Sequence, residues 1–283
     1  MKHFFTILFI ALLAASCHEE QQPIVVHLWP EGAPSDNGYT QEEGDERHCW
    51  GVFDPTLTVY LPEQPSGQAI LCCPGGGYVD VWYGTEGNNY GEWMTGQGIT
   101  LCVLKYRLPN GHRMIPMEDV QRAMELMREH REEWHVEQLG VMGFSAGGHL
   151  ASTAATHWTD SLYRPDFQVL FYPVISMDSA LTHMGSRHYL LGDEPTDEMV
   201  RLYSNELQVT DETPEAFIVL SQDDDVVAPE NTYRYREALE AHGVACTMLL
   251  LPWGSHGWSG HPEFAFNGVW QSALSEWLKT IRK

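Results

Sequence analysis

Positive charge is scarce in this 283-residue chain, which has 16 lysines and arginines against 39 aspartates and glutamates and a formal net charge of −23. Nucleic acids and anionic membrane surfaces attract clustered positive charge, so the composition argues against both as partners. Loss of residues 1–16, whose one charged side chain is Lys2, would shift the net charge from −23 to −24. Such an acidic surface suits a neutral substrate better than a polyanion.

Long apolar segments are also few, and the one extended run covers residues 4–15. It follows Lys2 and precedes Cys17, and it is too short to anchor a chain stably across a bilayer. We predict a signal peptide over residues 1–16 of the bacterial lipoprotein type, with Cys17 as the lipidated first mature residue. The protein would then be exported to the periplasm or outer membrane and touch the membrane only through this anchor. Ordinary secretion is the alternative.

The remaining cysteines number five, and the sequence contains no C-x-x-C motif. An odd count without this spacing argues against a disulfide framework and against a metal site. Cys72 and Cys73 are neighbours on a predicted strand, so their side chains point to opposite faces and cannot pair. We therefore predict that Cys72, Cys73, Cys102 and Cys246 are buried free thiols, and we expect neither a metal nor another cofactor.

No internal repeat, low-complexity tract or linker divides residues 17–283, which are enough for one α/β domain. Short apolar strands alternate with helical patterns, which favours a mostly parallel central sheet with helices on both faces. Predicted strands cover residues 56–61, 68–73, 99–105, 139–144, 167–171, 216–220 and 245–251, and predicted helices cover 116–132, 229–242 and 263–281. Residues 175–213 interrupt the alternation, and we predict a small cap or pocket wall there, over the carboxyl ends of the strands.

A G-F-S-A-G sequence at residues 143–147 follows one predicted strand directly and opens a segment of small residues. A serine on a sharp strand-to-helix turn has a strained backbone, and glycines two residues to either side leave room for that turn. The dipole of the following helix points at the serine. The pattern predicts Ser145 as a nucleophile, and a chance glycine-rich turn is the alternative.

A serine nucleophile needs a base and a carboxylate that orients the base, in the chain order Ser, Asp or Glu, His. Three aspartates follow the predicted strand at 216–220, and of these we favour Asp224, with Asp223 as its main competitor. His256 lies in the loop after the last predicted strand and is the predicted base. His149, one turn into the helix after Ser145, is assigned to packing or hydrogen bonding.

The negative oxygen formed when a nucleophile attacks a carbonyl needs backbone N–H donors. We predict the N–H of Ala146, next to the nucleophile, and those of Gly76 and Gly77 in the P-G-G-G-Y sequence at residues 74–78. This run occupies the place of the HGGG-type loop of esterases and lipases, with Pro74 where the histidine would be. It lacks the G-x-x-x-x-G-K-[ST] spacing of a phosphate-binding loop.

Taken together, the sequence resembles bacterial α/β-hydrolases of the acetyl esterase and lipase-like type, including acetyl xylan and feruloyl esterases of gut Bacteroidetes that are often labelled xylanases. The segments that carry the resemblance are residues 73–78, 104–109, 117–123, 141–152, 170–177, 203–207, 223–231 and 256–257. The resemblance implies Ser145, Asp224 and His256 as a catalytic triad. Ala228 departs from the family pattern, which has proline directly after the two valines.

The expected function is removal of acyl groups, acetyl or feruloyl, from a plant polysaccharide such as xylan through an acyl-enzyme intermediate. A glycosidase is one alternative, but it needs two carboxylates roughly 5–9.5 Å apart across the sugar, and no such pair stands out. A peptidase on the same fold and a non-catalytic glycan binder are the others. Aromatic residues in segment 78–93, together with Trp253 and Trp258, serve either for sugar stacking or for packing.

Overall fold

The computed structural model describes residues 22–282, so the predicted signal peptide and Cys17 lie outside the described residues. The strands are β1 (Ile24–His27), β2 (Glu43–Gly44), β3 (Cys49–Trp50), β4 (Thr56–Tyr60), β5 (Gln68–Cys73), β6 (Asp80–Val81), β7 (Thr100–Lys105), β8 (Gln138–Phe144), β9 (Phe167–Phe171), β10 (Ala216–Ser221) and β11 (Cys246–Leu251). The helices are α1 (Gly91–Gly96), α2 (Ile115–Glu129), α3 (Ala146–Thr156), α4 (Met184–Leu191), α5 (Asp197–Leu202), α6 (Glu230–Ala241) and α7 (Asn267–Thr280). In this part of the chain, no helix is both long and apolar enough to cross a membrane.

Eight strands form one sheet in the order β1-β4-β7-β5-β8-β9-β10-β11. Pairing is antiparallel at β1–β4 and β4–β7 and parallel from β7 to β11. Alternate side chains of β5 enter two separate cores: Leu71 packs with α2, α3 and α6, whereas Ile70 packs with α1 and α7. The predicted α/β fold, with a mostly parallel sheet and helices on both faces, is confirmed.

The predicted element ends agree with the structure to within one residue at all but two helix ends. The helix predicted over 116–132 stops at Glu129, because the chain then turns to bury Trp134 in the core. The helix predicted over 263–281 begins only at Asn267, whose side-chain amide donates to the carbonyls of His261 and Pro262 and so closes a loop in place of the first helical turn.

Some strands were not predicted at all. Strand β1 pairs along the outer edge of β4, and strands β2, β3 and β6 form a small separate sheet of two-residue strands. Two residues are too few to show an alternating pattern, so periodicity could not find them. The thiol prediction is right for Cys72, Cys73 and Cys102 but wrong in part for Cys246, which is free but only partly buried because β11 lies at the sheet edge.

The segment at 175–213 contains α4, α5 and a short 3₁₀ turn at Asn205–Leu207. It packs on α3, where the side-chain amide of Asn205 donates to the carbonyl of His149 at 3.1 Å. At its other end, a Cβ placed on Gly77 would lie 3.7 Å from the imidazole carbon Cε1 of His183. The segment therefore spans from α3 to the glycine-rich loop that follows β5.

A buried ion pair joins the end of β7 to α2. The guanidinium of Arg107 donates to both carboxylate oxygens of Asp119, with Nη2 at 2.8 Å from Oδ1 and Nε at 3.0 Å from Oδ2. The backbone N–H of Arg107 and the indole N–H of Trp29 donate to the same carboxylate. Both charged side chains are almost completely buried. Nη2 of Arg107 also donates to the partly exposed carboxylate of Glu118 at 3.0 Å, so Asp119 is its buried partner and Glu118 a second partner nearer the surface.

We expect Asp119→Ala to lower the free energy of unfolding by about 3 kcal/mol, the low end of the range for a broken buried pair, because Arg107 loses its buried partner and keeps only the more exposed Glu118. Glu276→Ala removes one member of an exposed pair with Lys279 at 2.7 Å and should cost less than about 1 kcal/mol. Urea denaturation of both variants measures the difference. Equal losses would show that the buried pair has no special weight in the fold.

Candidate active site

Ser145 lies in a crowded turn between β8 and α3, with backbone angles φ +53° and ψ −119°. A non-glycine residue in such a conformation costs roughly 1–3 kcal/mol and persists only where its surroundings fix it. The N–H of Ser145 donates to the carbonyl of Phe171, and its carbonyl accepts from Val174, both at 3.0 Å. A Cβ on Gly143 would lie 2.1 Å from the carbonyl oxygen of Gly147, so the turn requires glycine there.

The side chains of Ser145, His256 and Asp224 form a hydrogen-bonded chain. Nε2 of His256 lies 2.8 Å from Oγ of Ser145, and Nδ1 lies 2.7 Å from Oδ2 of Asp224. The other carboxylate oxygen of Asp224 accepts from the backbone N–H groups of Val226 and Val227. With Nδ1 donating to the carboxylate, Nε2 is free to accept the serine proton.

The two neighbouring aspartates contact the residue that precedes His256. Oδ1 of Asp223 accepts from the N–H of Ser255 at 2.9 Å, and Oδ1 of Asp225 accepts from its hydroxyl at 2.7 Å. The hydroxyl of Ser221 donates to the carbonyl of Ser255, which has a positive φ of 52°. The structure therefore places Asp224, and not Asp223, against His256, while its two neighbours hold the backbone before the histidine.

The glycine-rich loop after β5 lies directly beside Ser145. A Cβ on Gly75 would come within 3.1 Å of the serine Cβ, and Gly76 and Gly77 have positive φ angles of 126° and 64°. Among residues 22–282, the N–H groups of Gly76, Gly77 and Ala146 have no hydrogen-bond acceptor. The three predicted donors are thus unpaired in the neighbourhood of the serine.

Two side chains brace this loop although it has Pro74 in place of the usual histidine. The hydroxyl of Tyr106 donates to the carbonyl of Pro74 at 2.8 Å. The carboxylate of Glu86 accepts the N–H of Gly75 at 2.9 Å, so this amide does not face the serine as a free donor. The loop is fixed from the protein side, which leaves the next two amides available.

Glu86 also connects the glycine-rich loop to the loop that carries His256. Its second oxygen accepts from the hydroxyl of Tyr172 at 2.7 Å, and that hydroxyl also contacts Oγ of Ser259. The ring of Tyr172 packs edge-on against the imidazole of His256, with 4.7 Å between the ring centroids. Glu86 is buried, and burial raises the pKa of its carboxyl. Sequence reasoning missed Glu86, which lies in no recognised motif. It gave no role to Tyr172, although segment 170–177 carries part of the family resemblance.

His149 joins α3 to both the glycine-rich loop and the segment at 175–213. Its Nε2 lies 2.8 Å from the carbonyl oxygen of Tyr203, and its Nδ1 lies 2.8 Å from the hydroxyl of Tyr78. A carbonyl only accepts, so Nε2 carries the proton and Nδ1 accepts from the tyrosine. Burial lowers the pKa of His149 to about 4. The ring is therefore neutral, and both of its nitrogens are bonded to Tyr78 and Tyr203 and not to Ser145.

His183 is a further residue that sequence reasoning missed. Its Nδ1 accepts from the N–H of Ser186 at the start of α4. Burial lowers the pKa of the imidazole, which favours the neutral ring. Because Nδ1 accepts a hydrogen bond, the proton of the neutral ring lies on Nε2. This N–H has no acceptor among residues 22–282, and the ring lies beside Gly77. It presents a polar donor next to the glycine-rich loop.

Comparison with known proteins identifies relatives of this arrangement. A family model of the alpha/beta hydrolase fold matches residues 70–260. An acetylxylan esterase of Xylanibacter ruminicola is 37% identical over 231 residues, which are 80% of this chain and 48% of that protein. An endo-1,4-beta-xylanase B of Butyrivibrio fibrisolvens is 31% identical over 265 residues, 87% of this chain and 41% of that protein. The chain thus spans less than half the length of these curated relatives.

A solved structure covers the chain more completely. The acetyl ester-xyloside bifunctional hydrolase of Caldicellulosiruptor lactoaceticus superposes with a TM-score of 0.78 and 30% sequence identity. The alignment covers 93% of this chain and 98% of that one. The likeness therefore extends over nearly the whole chain.

The neutral state of His149 predicts a pH dependence of stability. The folded pKa of about 4 lies below the ordinary value of 6.5, so the unfolded chain binds an additional proton between these values. The His149 contribution is complete above pH 6.5 and is lost as the pH falls towards 4, with a slope of at most about 1.4 kcal/mol per pH unit.

His149→Gln tests this, because an amide can donate to Tyr203 and accept from Tyr78 without titrating. We expect a shallower fall in unfolding free energy between pH 6.5 and 4, measured by urea titration at each pH. His27→Gln, at an exposed histidine, is the control for losing a histidine elsewhere. A slope unchanged from that of the wild type would contradict the assignment.

Proposed function

This chain belongs to the alpha/beta-hydrolase family, and we propose that it is a serine carboxylesterase that removes acetyl groups from acetylated xylan or a closely related plant polysaccharide. The observation that carries the proposal is the hydrogen-bonded chain Asp224–His256–Ser145, with distances of 2.7 and 2.8 Å, beside a loop with unpaired N–H groups. The names of the relatives support an acetyl ester of a xylan-type glycan as substrate. Because the chain spans less than half the length of the curated relatives, the esterase activity itself is part of this proposal.

In the first half-reaction, Oγ of Ser145 attacks the ester carbonyl while Nε2 of His256 takes the serine proton. Asp224 stabilises the imidazolium that forms and keeps the ring in the required tautomer. The N–H groups of Ala146, Gly76 and Gly77 are the donors for the negative oxygen of the tetrahedral intermediate. When this intermediate collapses, His256 gives its proton to the sugar oxygen, which leaves as a hydroxyl, and the acetyl group stays on Ser145.

In the second half-reaction, water enters in place of the sugar, and His256 acts as base again. The hydroxide equivalent attacks the acetyl-serine carbonyl, the proton on His256 returns to Oγ of Ser145, and acetic acid leaves and then ionises to acetate. Two further residues position the glycine-rich loop: Glu86 accepts the N–H of Gly75, and His149 accepts the hydroxyl of Tyr78. Neither contacts the reacting atoms.

We expect Ser145→Ala to lower kcat/KM for acetate release from acetylated glucuronoxylan by at least about 10³-fold, because the nucleophile is lost. Asp224→Asn should cost on the order of 10⁴-fold in kcat through the wrong imidazole tautomer. Asp223→Asn is the matched control for that change and should lose far less. Acetate is measured in the soluble fraction after each reaction.

Three outcomes would oppose this proposal. Acetate release by Ser145→Ala at the wild-type rate would remove the serine mechanism. Release of reducing sugar from xylan, unaffected by Ser145→Ala, would favour glycosidase chemistry in its place. Cleavage of feruloyl esters with no acetate release would assign the triad to a different acyl group.

We also propose export of the protein with a lipid on Cys17, on the strength of the sequence pattern alone. Cys17→Ser removes the acceptor thiol, so the protein should move from the membrane fraction to the soluble fraction of the exporting cell. Immunoblotting of the two fractions measures this. A wild-type protein found wholly in the soluble fraction would favour ordinary secretion.

A further inference from the structure

A cavity of about 400 Å³ opens beside the two loops that carry Asp224 and His256. Its wall includes Asp223, one residue before the triad acid, and Ser255, one residue before the histidine. These loops follow the neighbouring parallel strands β10 and β11, so the cavity lies at the same sheet edge as Ser145. The mechanism above uses neither the cavity nor the aromatic residues in it.

The most exposed aromatic side chain of the cavity is Trp253, which is 50% exposed. Phe264 and Phe266 pack against its indole with near-perpendicular or steeply inclined rings, at centroid distances of 5.8 and 4.9 Å. These contacts hold a large apolar ring at the surface, where exposed apolar area marks interaction sites. Trp258, buried in the same wall, has an indole N–H without an acceptor among residues 22–282.

The polar groups of the cavity restrict what can bind. Asp223, Glu263 and His261 contribute its titratable side chains, and no lysine or arginine lines it. Carboxylates accept hydrogen bonds from hydroxyl groups and repel anions. An apolar ring beside carboxylate acceptors fits a neutral, polyhydroxylated ligand with one apolar face, which is the chemistry of a neutral sugar ring.

The direction of proton transfer places the sugar on this side of the site. His256 gives its proton to the leaving oxygen, so the alcohol part of the ester departs next to this imidazole. The carbonyl oxygen is held on the other side, at Gly76, Gly77 and Ala146. The cavity wall includes Ser255 and Trp258, and the ring of Trp258 packs edge-on against Tyr172 with 5.1 Å between the centroids. The same tyrosine packs against His256, so the cavity lies on the side of the site formed by the His256 loop.

We propose that this cavity is a subsite for a neutral sugar residue of the glycan from which the acetyl group is removed, with Trp253 as its stacking platform. The proposal rests on the proposed esterase function for its orientation. Recognition of the sugar at this position lowers KM for oligosaccharide esters and does not act on small aryl esters, which have no glycan chain.

The first test measures kinetics on two substrates. For Trp253→Ala, the ratio of kcat/KM on acetylated xylo-oligosaccharides to kcat/KM on 4-nitrophenyl acetate should fall at least about 10-fold, mainly through KM. Trp253→Phe keeps an aromatic face and should recover part of the ratio. Phe53→Ala, which removes an exposed aromatic residue outside the cavity, should leave the ratio at the wild-type value.

The second test measures binding without chemistry. Calorimetry with the Ser145→Ala protein should detect unacetylated xylohexaose, and the double variant with Trp253→Ala should bind it at least about 10-fold more weakly. An anionic oligogalacturonate should not bind. This measurement needs no ester cleavage. If the wild-type protein cleaved neither ester, the proposed function would be overturned, and the binding result would still test the subsite.

Two results would overturn the subsite. One is a substrate ratio and a xylohexaose affinity that Trp253→Ala leaves unchanged. The other is a selective loss of activity on feruloyl esters in Trp253→Ala, which would make the cavity an acyl pocket. Circular dichroism of each variant, together with recovery in Trp253→Phe, separates these results from a failure to fold.

Discussion

The site depends on one steric constraint: the turn between β8 and α3 packs directly against the end of β5. A Cβ on Gly147 would lie 2.1 Å from the carbonyl oxygen of Cys73, so α3 begins in direct contact with the chain that becomes the glycine-rich loop. This contact places Ser145 and that loop side by side. The strained serine backbone is held in turn by Phe171 at the end of β9, so the neighbouring strands on both sides of β8 fix the site.

Two networks then hold the glycine-rich loop from different directions. Glu86 joins Gly75 to Tyr172, and the neutral ring of His149 joins Tyr78 to Tyr203. Both networks are buried and fully hydrogen-bonded at these atoms. Donors that are already fixed need no reorganisation when charge develops on a substrate oxygen, so the loop is arranged before any substrate binds.

Much of the arrangement could be predicted from sequence because its signals are local. Apolar periodicity gave most element ends, and the chain order of motifs located Ser145, Asp224 and His256, which the structure brings together. Glu86 could not be found in this way, because its importance comes from Tyr172, 86 residues away. The two-residue strands and His183 could not be predicted for the same reason. They are defined by contacts with residues distant in the sequence, and no local sequence pattern marks them.

The unpaired cysteines have a consequence for how the folded domain responds to its redox surroundings. All five cysteines in the described part of the chain are free. Burial raises the pKa of Cys73 and Cys246 to about 12 and that of Cys49 to about 11, and it also raises the pKa of Cys72 and Cys102. Since the thiolate is the form that oxidises and exchanges, these residues resist both reactions. Once folded, the domain therefore keeps these five thiols poorly reactive in an oxidising as well as a reducing compartment.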